Sequence, residues 1–98
     1  MFQLTVEDVF AIKGRGTVAT GRVETGTLRV GDAVAVNGAA VLRVDGIESF
    51  RKQRDEAAAG DTIGVLFRDA ATSQISRGDV LTAAGGTEVT TPGVTFLA

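Results

Sequence analysis

The sequence contains neither cysteine nor histidine. Without cysteine the chain can form no disulfide and no thiolate metal site, which is compatible with a reducing cytoplasm. Without histidine it lacks the most common general base and the most common metal ligand. It also lacks an apolar run long enough to span a bilayer, and the basic and apolar start of a signal peptide. These absences predict a soluble, cytoplasmic protein with no metal, no cofactor and no membrane partner.

Neither sign of charge is in large excess. The 98 residues include ten basic and twelve acidic side chains, for a formal net charge of −2. Tight, sequence-independent binding to a nucleic acid backbone normally needs a clear basic excess, so binding of that kind is disfavoured.

The length corresponds to one domain with a core of its own. We assign residues 1–84 to this domain and residues 85–98 to a C-terminal tail. The boundary lies at a flexible break, Ala-Gly-Gly-Thr at residues 84–87, and residues 94–97 could return as an edge strand.

The dominant pattern is a series of short strands separated by glycine-containing turns. In residues 17–24, small side chains alternate with polar ones, which predicts a strand with the small set inside a narrow barrel. Gly26 can then form a turn with a positive φ, and Asn37-Gly38 is the strongest hairpin motif of the chain. Further strands are predicted at residues 6–13, 33–36, 41–50 (interrupted at Gly46), 62–68 and 79–83. Residues 51–61 are predicted to be a loop and residues 71–76 a helical turn. With no long amphipathic helix, the sequence predicts an all-β fold, a small antiparallel β-barrel.

Four apolar residues break the polar pattern of the predicted outer face. They are Phe10, Ile12, Val18 and Leu66. If their strands are neighbours, they would form the floor of a shallow apolar pocket. Carboxylates close to them in sequence would form its rim: Glu7, Asp8, Glu48 and Asp61. The same apolar side chains could instead pack under a loop or a neighbouring domain.

Four runs of sequence carry a family resemblance. They are VEDVFAIKGRGTVATGRVETG (residues 6–26, followed by VGD at 30–32), GIESFRK (46–52), AGDTIGVLFR (59–68) and ISRGDVL (75–81). In this order and spacing they closely resemble domain 2 of elongation factor Tu, the β-barrel shared with variation among the translational GTPases. The resemblance covers roughly residues 3–84 and no phosphate loop of the Gly-x-x-x-x-Gly-Lys-Ser/Thr type is present. The chain therefore resembles the middle barrel alone, either as a natural stand-alone protein or as a fragment.

The resemblance implies a ligand and the residues that contact it. In elongation factor Tu this part of the barrel receives the 3′ aminoacyl-adenosine of transfer RNA. The matching positions imply adenine contacts by Ile12, Val18 and Leu66, and a ribose contact by Glu48. They imply contacts to the esterified amino acid by Glu7, Asp8, Phe10, Asp61 and Thr62. Thr62 stands where elongation factor Tu usually has asparagine.

Two basic clusters are candidates for RNA phosphate contacts. One is Lys13 with Arg15, and the other is Arg51, Lys52 and Arg54. The second could instead be a solvated loop balanced by Asp55 and Glu56.

We expect a noncatalytic binding module that contacts the aminoacyl end of transfer RNA or ribosomal RNA, weakly. The chain lacks a recognisable nucleophile–base pair, so we do not expect an enzyme. The alternative is a structural or protein-interaction barrel with a vestigial RNA pocket, whose partner is another protein or a GTPase domain supplied in trans.

Overall fold

The computed structural model describes residues 1–49 and 52–84. Within these ranges the chain forms ten β-strands and one 3-10 helix, Thr72–Gln74. The strands are β1 (Gln3–Ile12), β2 (Gly16–Thr25), β3 (Thr27–Arg29), β4 (Ala33–Val36), β5 (Ala40–Arg43), β6 (Gly46–Ser49), β7 (Lys52–Arg54), β8 (Glu56–Ala58), β9 (Thr62–Phe67) and β10 (Val80–Ala83). The described part of the chain holds no helix of the length and apolar character needed to cross a membrane.

Eight strands form one antiparallel sheet in the order β5-β4-β10-β1-β2-β9-β6-β7, and β3 pairs with β8. Only residues 44 and 45 connect β5, at one end of the sheet, to β6, near the other. Because such a link spans at most about 10–11 Å, the sheet must curl until its two ends meet. Hydrogen bonds from Val44 N to Asp32 O (2.9 Å) and from Gly31 N to Val44 O (2.8 Å) fix the link. The predicted all-β, barrel-like fold is therefore confirmed.

The curled sheet encloses the core. On β2 the alternation is as predicted, since Thr17, Ala19, Gly21 and Val23 are buried whereas Arg22 and Glu24 are exposed. Side chains from the other strands complete the core: Leu4, Val6, Val34, Ile47, Ile63, Val65, Phe67 and Leu81. The buried Thr17 hydroxyl donates a hydrogen bond to the Ala70 carbonyl at 2.7 Å, so burial leaves it satisfied.

A bulge interrupts β1. Val6 pairs with Gly21 and Asp8 pairs with Thr20, which leaves Glu7 as an extra residue. Strict alternation from Val6 would direct Asp8 and Phe10 towards the core. The bulge shifts the alternation by one residue, so Phe10 instead lies on the outer face, opposite Val18.

Two turns have the predicted backbone conformation. Gly26 has φ +74°, and the β4–β5 hairpin contains Asn37 at φ +53° and Gly38 at φ +73°. Glycine at position 26 is also required by space, because a Cβ there would lie 2.5 Å from the Phe2 backbone nitrogen.

Two predictions about the strands need correction. Within the loop predicted for residues 51–61, residues 52–54 form β7, which extends the main sheet, and residues 56–58 form β8, which pairs with β3. The strand predicted for residues 41–50 is divided at residues 44–45, and Gly46 begins β6 rather than interrupting a strand. The helical turn predicted within residues 71–76 is present as the 3-10 helix Thr72–Gln74. Residues 50, 51 and 85–98, which include the edge strand expected at 94–97, lie outside the described residues.

Candidate functional site

Three apolar side chains from neighbouring strands form one row on the outer face. In the strand register Phe10 of β1 pairs with Val18 of β2, and Val18 pairs with Leu66 of β9. Adjacent strands are about 4.8 Å apart, so the row crosses roughly 10 Å of the sheet. Ile12 is two residues beyond Phe10 on the same face and pairs with Gly16. We call Phe10, Ile12, Val18 and Leu66 the apolar platform.

Two glycines keep the area beside the platform low. Leu66 pairs with Gly46, and Gly64 lies two residues before Leu66 on the same face of β9. A Cβ at position 64 would lie 3.1 Å from Val18 Cγ1, and one at position 46 would lie 3.5 Å from Leu66 Cβ. The Val18 and Leu66 side chains therefore extend over backbone that carries no side chain of its own. Phe10 is 51% exposed and Leu66 only 6%, so Leu66 forms the floor and Phe10 the raised edge.

Two carboxylates lie at opposite ends of the next row. Its members are paired in the order Asp8, Thr20, Gly64 and Glu48, on β1, β2, β9 and β6. The row spans three strand spacings, about 14 Å. Glu48 is thus on the β6 side of the platform and Asp8 is on the β1 side, so the two carboxylates cannot serve the same ligand atom.

A cavity of about 280 Å³ adjoins the platform on the β6 side. Leu66, Gly46 and Glu48 line it together with Arg15 and Arg54. Arg15 Nη2 lies 3.6 Å from Glu48 Oε2, and both side chains are about half exposed. One residue from each predicted basic cluster therefore faces the same cavity.

The residues implied for the amino acid lie farther along the strands. Thr62 is four residues before Leu66 on β9, about 13 Å away, and pairs with Arg22. Asp61 precedes it, accepts a hydrogen bond from Ala58 N at 2.9 Å, and lies 4.0 Å from Arg54 Nη2. The structure thus separates Asp61 and Thr62 from the adenine positions of the platform.

Glu7 lies beside a second, shallow depression of about 460 Å³. The depression is lined by Thr5, Glu7, Arg22, Val23, Glu24 and Gly60. The Glu24 carboxylate accepts hydrogen bonds from Gln3 Nε2 at 2.8 Å and from Thr5 Oγ1 at 2.9 Å. These bonds hold Glu24 against β1, whereas the exposed Glu7 side chain projects at the bulge.

The sequence comparison identifies the family. A family model described as elongation factor Tu domain 2 matches residues 16–82, which is 67 of the 98 residues. The chain belongs to the elongation factor Tu domain 2 family. It is therefore a translation-factor domain, and its all-β fold is in keeping with that family.

The match to elongation factor Tu domain 2 covers only part of the candidate site. Val18, Glu48, Asp61, Thr62 and Leu66 lie inside the matched range. The residues before it are Glu7, Asp8, Phe10 and Ile12 of β1, and Lys13 and Arg15 of the following turn. For these residues the strand register is an independent observation, because it aligns Phe10 with Val18 without reference to the family match.

The described residues of the two basic clusters of this domain 2 are exposed. Lys13 and Arg15 lie in the turn between β1 and β2, and Lys52 and Arg54 lie on β7 at the edge of the sheet. Arg51 lies outside the described residues. Among the described residues, no three acidic side chains come together in a group that could hold a metal ion.

Sequence reasoning missed two features of the site. The role of Gly46 and Gly64 in keeping the surface low depends on the strand register, which local sequence patterns do not give. Arg77 was not considered, although its guanidinium lies 2.9 Å from Asp8 Oδ1. The two residues are 69 positions apart, so no local pattern could have joined them.

Proposed function

We propose that this domain is a noncatalytic binding module that contacts the aminoacyl-adenosine end of transfer RNA. The observation that carries the proposal is the single row formed by Phe10, Val18 and Leu66 across three strands. A nucleobase presents a flat apolar face, and stacking on such a surface contributes about 1–3 kcal/mol per base. Because Gly46 and Gly64 carry no side chains, Val18 and Leu66 can lie close to the backbone and form a low surface for the base to contact.

Glu48 is suited to a ribose. Its carboxylate can accept hydrogen bonds from the ribose hydroxyls, and it lies in the row next to Leu66. Its ion pair with Arg15 is long, at 3.6 Å, and half exposed. Breaking this pair so that Glu48 can bind a ribose should therefore cost little free energy. The Arg15 side chain would then be released towards an RNA phosphate at the same cavity.

The remaining expectations follow from the family and the composition. Membership of a translation-factor family supports a cytoplasmic role in protein synthesis, with transfer RNA or ribosomal RNA as the partner. The absence of histidine and cysteine from the sequence supports a role without catalysis.

A second function is favoured by the exposure of the platform. Phe10 and Ile12 are 51% and 38% exposed, and exposed apolar groups of this kind also form protein interfaces. The domain would then be a structural or protein-interaction barrel with a vestigial RNA pocket. Its partner would be another protein or a GTPase domain acting in trans.

An amide-shift titration separates the two functions. The probe is 3′-alanylamido-3′-deoxyadenosine, whose amide replaces the labile ester. We expect it to shift the amide signals of Phe10, Val18 and Leu66 together. Val18→Asp should abolish binding by placing a charge against the base. Val41→Asp is the matched control, because Val41 is 48% exposed on β5, away from the platform, and should leave binding unchanged.

The titration also defines what would contradict the proposal. Shifts confined to residues 52–54, or no shifts at saturating probe, would favour the protein-interaction barrel. Glu48→Gln should weaken binding modestly, since it replaces a charged acceptor by a neutral one.

A further inference from the structure

One asparagine side chain fastens the β4–β5 hairpin to the start of β10. Asn37 Nδ2 donates a hydrogen bond to Asp79 Oδ1 at 3.0 Å, and Asn37 Oδ1 accepts one from Val80 N at 2.9 Å. The Asn37 backbone N–H also donates to Val80 O at 2.8 Å. Both polar atoms of the side-chain amide are therefore engaged. We call the two side-chain hydrogen bonds of Asn37 the amide contact.

The residue after Asn37 leaves this side chain open to attack from the backbone. Asn37 is the only asparagine in the sequence, and Gly38 follows it. Both residues are exposed, and a Cβ built on Gly38 would meet no atom within 4 Å. Because glycine carries no side chain beside its nitrogen, that nitrogen can approach the preceding side chain closely.

We infer that Asn37 is a site of spontaneous modification, at which the side-chain amide is converted to a carboxylate through a cyclic imide. The Gly38 nitrogen attacks Asn37 Cγ, so that a new C–N bond forms and the Cγ–Nδ2 bond breaks. Ammonia leaves with the former Gly38 amide proton. Water then opens the imide, and cleavage at Cγ leaves aspartate, whereas cleavage at the Asn37 main-chain carbonyl carbon leaves isoaspartate. The net reaction consumes water and releases ammonia, with no change in oxidation state.

The amide contact controls this reaction. Cyclisation makes the planar amide carbon tetrahedral and draws it onto the following backbone nitrogen, so the bonds to Asp79 and Val80 must first be released by local opening. The folded hairpin therefore protects Asn37, and each opening of the hairpin exposes it to reaction.

The modification also prevents the contact from forming again. The aspartate product carries an oxygen in place of Nδ2, which lies 3.0 Å from Asp79 Oδ1. An acceptor would then face an acceptor and a negative charge would face another. Asp79 cannot easily turn away, because its Oδ2 accepts a hydrogen bond from Ser76 N at 2.8 Å. The reaction thus loosens the hairpin from β10 irreversibly.

The first test measures the rate of modification. The full chain is incubated at neutral pH, folded or unfolded in guanidinium chloride, and peptide mass spectrometry follows the gain in mass at Asn37. We expect the unfolded chain to react faster than the folded one. Asp79→Ala removes one bond of the amide contact, and should raise the folded-state rate about two- to tenfold.

Asp32→Ala is the matched control for the loss of a carboxylate at a turn. Asp32 Oδ2 accepts a hydrogen bond from Arg29 N at 2.9 Å, as Asp79 Oδ2 does from Ser76 N, but Asp32 is not part of the amide contact. This variant should keep the parent rate.

A second test measures the loosening, and it does not require Asp79→Ala to fold. Asn37→Asp reproduces the aspartate product, and we expect the Val80 amide to exchange with solvent faster in this variant than in the parent. Adding Asp79→Asn should restore slow exchange, because an amide and a carboxylate then face each other again with their positions reversed.

Three results would overturn the inference. Absence of a mass gain at Asn37 in the unfolded chain would exclude the modification site. Equal rates in the folded and unfolded parent, or in folded Asp79→Ala and Asp32→Ala, would exclude control by the amide contact. Parent-like exchange of the Val80 amide in Asn37→Asp would exclude the loosening of the hairpin.

Discussion

Gly21 is the position at which the described barrel leaves very little room for a side chain. A Cβ there would lie 2.4 Å from Thr5 O and 2.8 Å from Leu4 Cδ2. We expect Gly21→Ala to lower the free energy of unfolding by about 1–3 kcal/mol, because the backbone of β1 would have to move. Gly46→Ala is the matched control: its Cβ would meet Leu66 at an ordinary contact distance of 3.5 Å, and the change should stay within about 0.5 kcal/mol. Urea unfolding measures both, and equal midpoints would contradict the steric argument.

The two phenylalanines Phe67 and Phe10 differ in burial, so replacing them should affect stability differently. Phe67 is 1% exposed at the end of β9, whereas Phe10 is 51% exposed on the platform. Phe67→Ala should therefore cost about 3–5 kcal/mol through lost burial and a residual cavity. Phe10→Ala should cost less than about 1 kcal/mol, since most of its surface stays in water. If the two variants melt within a degree of each other, Phe67 is not part of the core.

At the scale of the strand, alternation predicted the fold where strands are long. The small inward side chains of β2 and the inward Ile63, Val65 and Phe67 of β9 follow a clear two-residue period. β7 and β8 have only three residues each, and Ala57 is their one buried side chain. Three residues give too few alternations to distinguish an edge strand from a polar loop, so these strands could not be predicted.

The candidate site was predictable to a similar degree. That Val18 and Leu66 lie on the outer faces of their strands follows from local alternation, whereas Phe10 reaches the outer face only because of the β1 bulge. Their alignment in one row depends on the bulge at Glu7, which moves the second half of β1 by one residue. The contact between Arg77 and Asp8 depends on β10 pairing with β1, a long-range choice that no local pattern records.

The β4–β5 hairpin offers a prediction at the same scale. Asn37 has φ +53°, its Nδ2 donates to Asp79 Oδ1 at 3.0 Å, and its Oδ1 accepts from Val80 N at 2.9 Å. Asn37→Gly should keep the turn but lose both bonds, costing about 1 kcal/mol. Asn37→Ala should cost about 1–2 kcal/mol more, because alanine is strained at positive φ. Chemical unfolding of both variants checks the order, and an alanine variant as stable as the glycine variant would contradict it.

For the whole molecule, the balance of charge limits the affinity for RNA that the domain could reach by itself. The formal net charge is −2, and two of the arginines nearest the cavity already face carboxylates: Arg15 pairs with Glu48, and Arg54 lies 4.0 Å from Asp61. An RNA phosphate must compete with these partners. In the proposed complex with RNA, the apolar platform would position the base, whereas the electrostatic attraction that the arginines could add is small.

The last prediction concerns intact transfer RNA. Because few phosphates can be neutralised, we expect this chain to bind aminoacyl-transfer RNA with a dissociation constant nearer 1 mM than 1 μM, about −4 rather than −8 kcal/mol. Added salt should weaken binding only slightly. The slope of log K against the log of the salt concentration should correspond to about one or two neutralised phosphates. Arg15→Ala should reduce that slope by up to about one, whereas Arg29→Ala, which removes a cation paired with Glu56 on the β3–β8 sheet, should leave it unchanged. Fluorescence anisotropy over a salt series measures both quantities. Sub-micromolar binding at physiological salt would show that the arginines around the cavity act together on the RNA despite their carboxylate partners.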